Sequence, residues 1–201
     1  MPDDNSCLFR AFSYAITPPD LPNDQPTPHD LRSLVKTIIL ADPDTYNSAI
    51  LEGKEPATYC AEMMSPDKWG GAIELGILSK HFDVRVDTID VESGAVLSFH
   101  EAAPTRAILI YSGIHYDTVA QTPFRDAPGE VDRRLWEVGD GVVLEGAREL
   151  CGILRAQSYF TNTESFGLVC TAGGCGWVGQ GWKEAGAHSK RTGHGGFDQI
   201  Q

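Results

Sequence analysis

Apolar residues in the first third of the chain recur at helical spacing. Over residues 8–16, Leu8, Phe9, Phe12 and Ile16 fall on one side, which predicts a helix with Cys7 at its N-terminal edge. A proline-rich loop follows over residues 17–28. In the next stretch Leu31, Leu34, Val35, Ile38 and Ile39 repeat as a second helix, with Thr27 placed to cap it and Pro28 at its first position. Asp42-Pro43 is expected to end this helix and start another, with Tyr46, Ile50 and Leu51 on one side. Residues 56–64 read as a short fourth helix and residues 65–71 (SPDKWGG) as a turn-rich break. Residues 72–82 return to helix and are expected to bury Ile73, Ile77, Leu78 and Phe82.

The period then changes. Val84, Val86, Thr88 and Ile89 begin a strand, Glu92-Ser93-Gly94 supplies a turn, and residues 96–99 answer as its partner. The continuous apolar run over 107–111 (AILIY) predicts a central strand, and residues 114–119 (IHYDTV) alternate as another. Helices first and a hairpin-rich sheet later define an α+β class, a small central sheet flanked by helices. The expected organisation is a core over 1–120, a linker or exposed loop over 121–134, and a closing part of the same domain over 135–159 with a helix over 142–157. A tail over 160–201 has too few apolar residues to fold without a staple.

Composition narrows the function classes. The 201 residues are 41% hydrophobic and carry a formal net charge of −12. That field repels phosphate backbones and anionic membranes, so neither nucleic-acid binding nor membrane insertion is expected. No apolar run reaches the roughly 18–20 residues of a membrane span. Residues 1–6 have neither a basic start nor an apolar stretch, so no secretory leader is expected. The five cysteines are an odd set, which argues against a disulfide scaffold and for a reducing compartment. There cysteines serve packing, the reading for Cys60 and Cys151, or metals, or chemistry.

The tail supplies the staple. Cys170-x4-Cys175-x12-His188-x5-His194 has the ligands and loop lengths of a two-Cys, two-His zinc finger. A strand at Phe166, Leu168 and Val169, a knuckle over 171–174 and a helix carrying both histidines would bring the four ligands to one point. The interval between Cys175 and His188 holds Lys183 as its one basic residue, so a structural or protein-binding finger is favoured over a DNA reader.

The chemistry centres on Cys7. A cysteine at a helix start meets the positive end of the helix and its free N–H groups, which favour a thiolate and can receive an oxyanion. Such a nucleophile needs a base, and the base an orienting partner. Ile114-His115-Tyr116-Asp117 offers both, because residues two apart in a strand share a face. Asp4, three residues before Cys7, competes with Asp117 for the third role or caps the helix; the spacing favours Asp117 as the orienter.

The stretches PDDNSCLFRAFSYAI, WGGAIELGILSKHF and AILIYSGIHYD, in this order, resemble the ovarian-tumour (OTU) family of cysteine deubiquitinases. With the finger and the closing GHGGF, the chain resembles the subfamily that works with the valosin-containing AAA ATPase (Cdc48). The resemblance implies an OTU-type cysteine protease fold with a C-terminal zinc finger, and hydrolysis of isopeptide bonds at the C-terminus of ubiquitin in conjugates and polyubiquitin chains. It implies Cys7 as nucleophile, His115 as general base, and Asp117 and Asp4 as the acidic residues of the site. Ile114, Trp69, Gly70 and Gly71 are implied to meet the substrate. Trp69 either walls a slot for the ubiquitin tail or is a core tryptophan capping the next helix. Zinc is expected to be structural, with no cofactor for catalysis. The implied partners are ubiquitin, polyubiquitin and the ATPase, which the subfamily meets through a docking domain ahead of the cysteine motif. The implied setting is protein quality control and ER-associated degradation in the cytoplasm, and the nucleus as well. The rival reading is a catalytically silent ubiquitin- or protein-binding module, against which the intact Cys7, His115 and Asp117 weigh.

Overall fold

A computed structural model of the chain describes residue 1, residues 4–162 and residues 167–200. Pro2 and Asp3 of the loop before Cys7, Phe166 of the expected finger strand, and Gln201 lie outside the described residues. Helix α1 (Cys7–Ile16) buries Leu8, Phe9, Ala11, Phe12 and Ala15. Helix α2 (Pro28–Ala41) starts at a reciprocal cap: the Thr27 hydroxyl accepts from the Asp30 N–H at 3.2 Å, and the Thr27 N–H donates to the Asp30 carboxylate at 2.9 Å. Helices α3 (Pro56–Met63) and α4 (Ala72–His81) follow.

The helix expected after Pro43 is absent; residues 43–53 are turns. Two single turns stand there instead, closed by the Tyr46 N–H donating to the Asp42 carbonyl and the Leu51 N–H to the Asn47 carbonyl, and the Asn47 side chain caps the second by accepting from the Ala49 N–H before the first can propagate. Leu51 is buried, whereas Ile50 is exposed. Phe82 also ends up exposed, one residue beyond α4.

The main sheet is built from β1 (Arg85–Asp90), β2 (Val96–Phe99), β3 (Thr105–Tyr111), β4 (Tyr116–Thr118) and β5 (Trp136–Glu137). Its order is β2-β1-β3-β4, with β5 pairing the first residues of β3. β1 and β3 are parallel and the other pairs antiparallel. Strand β3 is an interior strand, with β1 along one edge and β4 and β5 along the other, and both its faces are covered. Ala107 and Leu109 meet the core under α1–α4, while Ile108 and Ile110 meet a second core under helix α5 (Gly141–Ala156) with Trp136. A strand covered on both faces reads as an unbroken apolar run. Asp87 is buried in this sheet between two arginines, Arg85 Nε at 2.8 Å and Arg106 Nε at 2.7 Å, the second pair lacking the alignment of a hydrogen bond.

Residues 121–134 are mostly exposed but fastened back to α1. Arg134 donates to the Tyr14 carbonyl at 2.9 Å and stacks its guanidinium 4.1 Å from the Tyr14 ring centre, while the Tyr14 hydroxyl donates to Asp132. The tail forms its own sheet, β7-β6-β8, from β6 (Gly167–Cys170), β7 (Val178–Gln180) and β8 (Phe197–Ile200), with helix α6 (Gly181–Thr192). His188 lies on α6. His194 does not, contrary to the expectation of a shared helix, because Gly193 closes α6 in the left-handed conformation at φ 77°. Among the described residues no helix is long and apolar enough to cross a membrane.

Candidate active site

Helix α1 carries Cys7 as its first residue and lies against β4, with the Thr118 hydroxyl donating to the Ala11 carbonyl at 2.6 Å. The packing brings the Cys7 sulfur to the backbone N–H of Tyr116, the residue between His115 and Asp117. Cys7 is buried, and burial pushes its thiol above the ordinary range. The Tyr116 and Leu8 N–H groups pull it down, and the carboxylates of Asp4 and Asp117 push it up again. Burial is the largest of these influences, and it leaves the Cys7 pKa raised against the pull of the helix start.

His115 precedes β4 instead of lying on it, in a turn closed by the Ser112 N–H donating to the His115 carbonyl at 3.0 Å. Its Nε2 stands 3.5 Å from Asp117 Oδ1, an ion-pair distance that is long for a hydrogen bond. The same oxygen receives the α-amino group of Met1 at 2.6 Å. Asp4 turns to its own loop. One carboxylate oxygen accepts from the Ser6 N–H at 2.9 Å and the other from Arg10 Nε at 2.8 Å, while the Asp4 carbonyl takes the Cys7 N–H at 3.1 Å. Two amide donors at the helix start are thus occupied by Asp4.

A slot of about 140 Å³ opens over Cys7, lined by Asn5, Trp69, Gly70, Gly71, Tyr111, Ile114 and Tyr116. Trp69 is 52% exposed and donates its indole N–H to the Asn5 carboxamide oxygen, so it walls the slot and is no core residue. A side chain at Gly70 would meet the Phe9 ring at 2.9 Å, which is why that position must be small. Gly71 is held from below: its N–H donates to buried Glu74 at 2.7 Å, and the Tyr59 hydroxyl donates to the other Glu74 oxygen. Burial raises the Glu74 pKa, against the pull of those two hydrogen bonds.

Arg32 was not singled out in the sequence, where it is one arginine among the apolar positions of α2. It is 2% exposed. Its guanidinium donates to the carbonyls of Met63 at 2.8 Å, Lys68 at 2.7 Å and Asn5 at 3.2 Å, and stacks 4.3 Å from the Phe9 ring centre. One buried cation therefore ties the loop before Cys7 to the loop carrying Trp69. The signal available in the sequence was a charge inside the apolar period of α2; its partners are loop carbonyls, which no pattern marks.

In the tail, the ligand atoms of Cys170, Cys175, His188 and His194 lie within 4.8 Å of one another. Cys170 Sγ is 3.6 Å from His194 Nδ1 and Cys175 Sγ 3.4 Å from His188 Nε2. Trp177 stacks on His188 at 4.6 Å, and Phe197 meets both rings edge-on. Two thiols and two imidazoles at these separations suit a tetrahedral metal ion, and the residues present fit one.

The fold thus sets Cys7 against the backbone of Tyr116, the residue after His115. The model of the OTU-like cysteine protease family matches residues 2–117, and the chain belongs to that family. Its likeness extends through the tail to proteins named ubiquitin thioesterase OTU1. With that of Homo sapiens it is 38% identical over 202 residues, covering 100% of this chain and 56% of the relative. It is 34% identical to the ovarian tumor domain-containing deubiquitinating enzyme 2 of Arabidopsis thaliana, covering 100% of this chain and 96% of that one. A solved ovarian tumor domain in complex with ubiquitin superposes with a TM-score of 0.69 at 28% identity, covering 80% of this chain and 87% of that one. The chain spans less than two thirds of the length of several OTU1 relatives.

Replacing Arg32 by Gln should strand buried carbonyls on both loops. The expected cost is about 2–4 kcal/mol in urea unfolding. Amide exchange should rise over residues 65–71 before it rises in α5, and Arg32→Lys should fall between the two.

Proposed function

We propose that the chain is a cysteine-type deubiquitinase that hydrolyses the isopeptide bond between the ubiquitin C-terminus and a substrate lysine. The observation that carries this is the glycine-lined slot over Cys7, narrow enough for a tail of two glycines and walled by Trp69 and Ile114. Family membership and the named function of its relatives support the same reading.

The residues divide the work as follows. His115 takes the Cys7 proton, and the sulfur attacks the carbonyl carbon of the isopeptide, moving the carbonyl π electrons to oxygen. The Asn5 carboxamide beside Cys7, its oxygen engaged by Trp69, brings N–H donors to the oxyanion, since Asp4 already holds the Ser6 and Cys7 amides. The tetrahedral adduct collapses; the C–N bond breaks as His115 returns the proton to the leaving amine, and a thioester remains. Water then loses a proton to His115, attacks the thioester and releases the carboxylate, and the Cys7 thiol is restored. Asp117 orients His115, and Asp4 shapes the loop.

The tail is proposed to hold zinc as a structural ion through Cys170, Cys175, His188 and His194. Zn–S of about 2.3 Å and Zn–N of about 2.0 Å imply a tetrahedral S···N edge of about 3.5 Å, which the 3.6 and 3.4 Å separations match. Association with the Cdc48 ATPase, a part in ER-associated degradation and a cytoplasmic location belong to the same reading and rest on the family resemblance.

A ubiquitin probe with a C-terminal electrophile should label Cys7, and Cys7→Ser should abolish both labelling and cleavage of ubiquitin chains. A wild-type protein that binds ubiquitin but takes no label would instead be the silent binding module. Asp117→Ala should lower kcat more than it changes KM, and more than Asp4→Ala does, because orientation of the base serves the transition state. Cys170→Ser with Cys175→Ser should remove the bound zinc and unfold residues 167–200, since metal binding and folding are one free energy in so small a unit. Zinc content and circular dichroism of the variant measure this.

A further inference from the structure

Helix α5 ends in a turn that sends the chain past the catalytic histidine. Ser158 adopts the left-handed conformation at φ 56°; its N–H donates to the Arg155 carbonyl at 2.9 Å and the Tyr159 N–H to the Leu154 carbonyl at 2.9 Å. The strand of backbone that follows is fastened at three points. Phe160 packs into the core under α5, the Thr161 N–H donates to the Ser112 carbonyl at 2.8 Å, and the Asn162 side chain donates to Glu92 at 2.6 Å. The fit to the histidine loop is close. Gly113 has φ 95°, and a Cβ there would stand 1.9 Å from the Thr161 carbonyl oxygen. Residues 158–161 thus form a built wall of the site, reaching it from beyond α5.

That wall and the histidine loop enclose a cavity of about 360 Å³, lined among others by His115, Ile114, Ser112, Tyr159 and Thr161. Ile114 is the ridge between this cavity and the slot over Cys7, since it lines both. Tyr159 is 52% exposed and Ile114 40%. Two large apolar side chains thus stand at the mouth of a cavity that contains the base.

We infer that this cavity receives the polypeptide segment around the acceptor lysine, the leaving-group side of the substrate, and that Tyr159 is a specificity-determining residue for it. The inference rests on the deubiquitinase reading. The chemistry assigns the sides. The proton on His115 goes to the leaving amine, so the lysine departs on the His115 side of the Ile114 ridge, while the acyl tail occupies the slot on the Cys7 side. A lysine reaching His115 brings its neighbouring residues over the cavity mouth, where an aromatic ring offers contact area at low entropic cost. The leaving group is thereby read by a segment outside the matched family region, which ends at residue 117.

The test compares two substrates on the full chain. One is ubiquitin joined at its C-terminus to a small aminofluorophore; the other is ubiquitin joined by an isopeptide bond to a lysine-containing peptide of about ten residues. Loss of the ring should lower the ratio of kcat/KM for the peptide conjugate to that for the fluorophore by about tenfold in Tyr159→Ala, the size of a lost apolar subsite contact. Tyr159→Phe, which keeps the ring, should restore the ratio. An unchanged ratio in a Tyr159→Ala protein with wild-type thermal unfolding overturns the inference, as does a Tyr159→Phe ratio as low as that of Tyr159→Ala. A wild-type protein that cleaves neither substrate overturns the deubiquitinase reading itself.

Discussion

The site depends on the docking of α1 against β4. Cys7 is the first residue of a helix, and His115 lies in a turn before a three-residue strand; neither element could hold its side chain in place alone. The Thr118–Ala11 hydrogen bond joins residues 107 positions apart, and the rings of Phe9 and Phe12 beneath it are wholly buried. Closing so long a loop is entropically costly, and the apolar burial of α1 offsets it. The same burial desolvates Cys7. The contact that places Cys7 thus also raises the pKa of its thiol.

Around that contact, buried polar groups do what apolar packing cannot. Hydrophobic burial is non-directional, so it fixes where α1 lies but not the path of the loops beside it. Arg32 and Glu74 supply direction. The first binds carbonyls of the loops on either side of the slot, and the second holds the Gly71 amide and the Tyr59 hydroxyl. Each is buried, and its hydrogen bonds to loop backbone specify one geometry. Asp4 plays the same part at the surface, bridging the Ser6 amide and Arg10.

The tail and the catalytic domain are joined by more than a tether. Residues 158–161 lie along the histidine loop before the chain enters the Cys/His cluster, and Gly113 is shaped to their approach. Among the described residues of the tail, the buried hydrophobic side chains are Leu168, Cys170 and Ala185, a small set for a core. The four ligand atoms come together because three short strands and α6 converge on them, and a metal ion held there would add the cohesion of four ligand bonds.

The sequence by itself determined the elements whose signals are local. The apolar period of α1 and α2, the Thr27 cap, the unbroken run of β3 and the Cys/His spacing of the tail all follow from neighbours within a few residues. It also marked Cys7, His115, Asp117, Asp4 and the Trp69–Gly71 stretch, through motifs that resemble one family. What tertiary structure decided was everything set by desolvation or by distant backbone. Single turns replaced the helix after Pro43, because Asn47 caps a new turn before the one begun at Asp42 can propagate, which periodicity does not register. Gly193 left His194 beyond α6. Burial raises the Cys7 pKa against the pull of the helix start, and Trp69 stands exposed at the wall of the slot. The partners of Arg32 and the approach of residues 158–161 to the histidine loop are backbone atoms far along the chain, and a backbone carbonyl is the same at every position of a sequence. Only folding gives it an address.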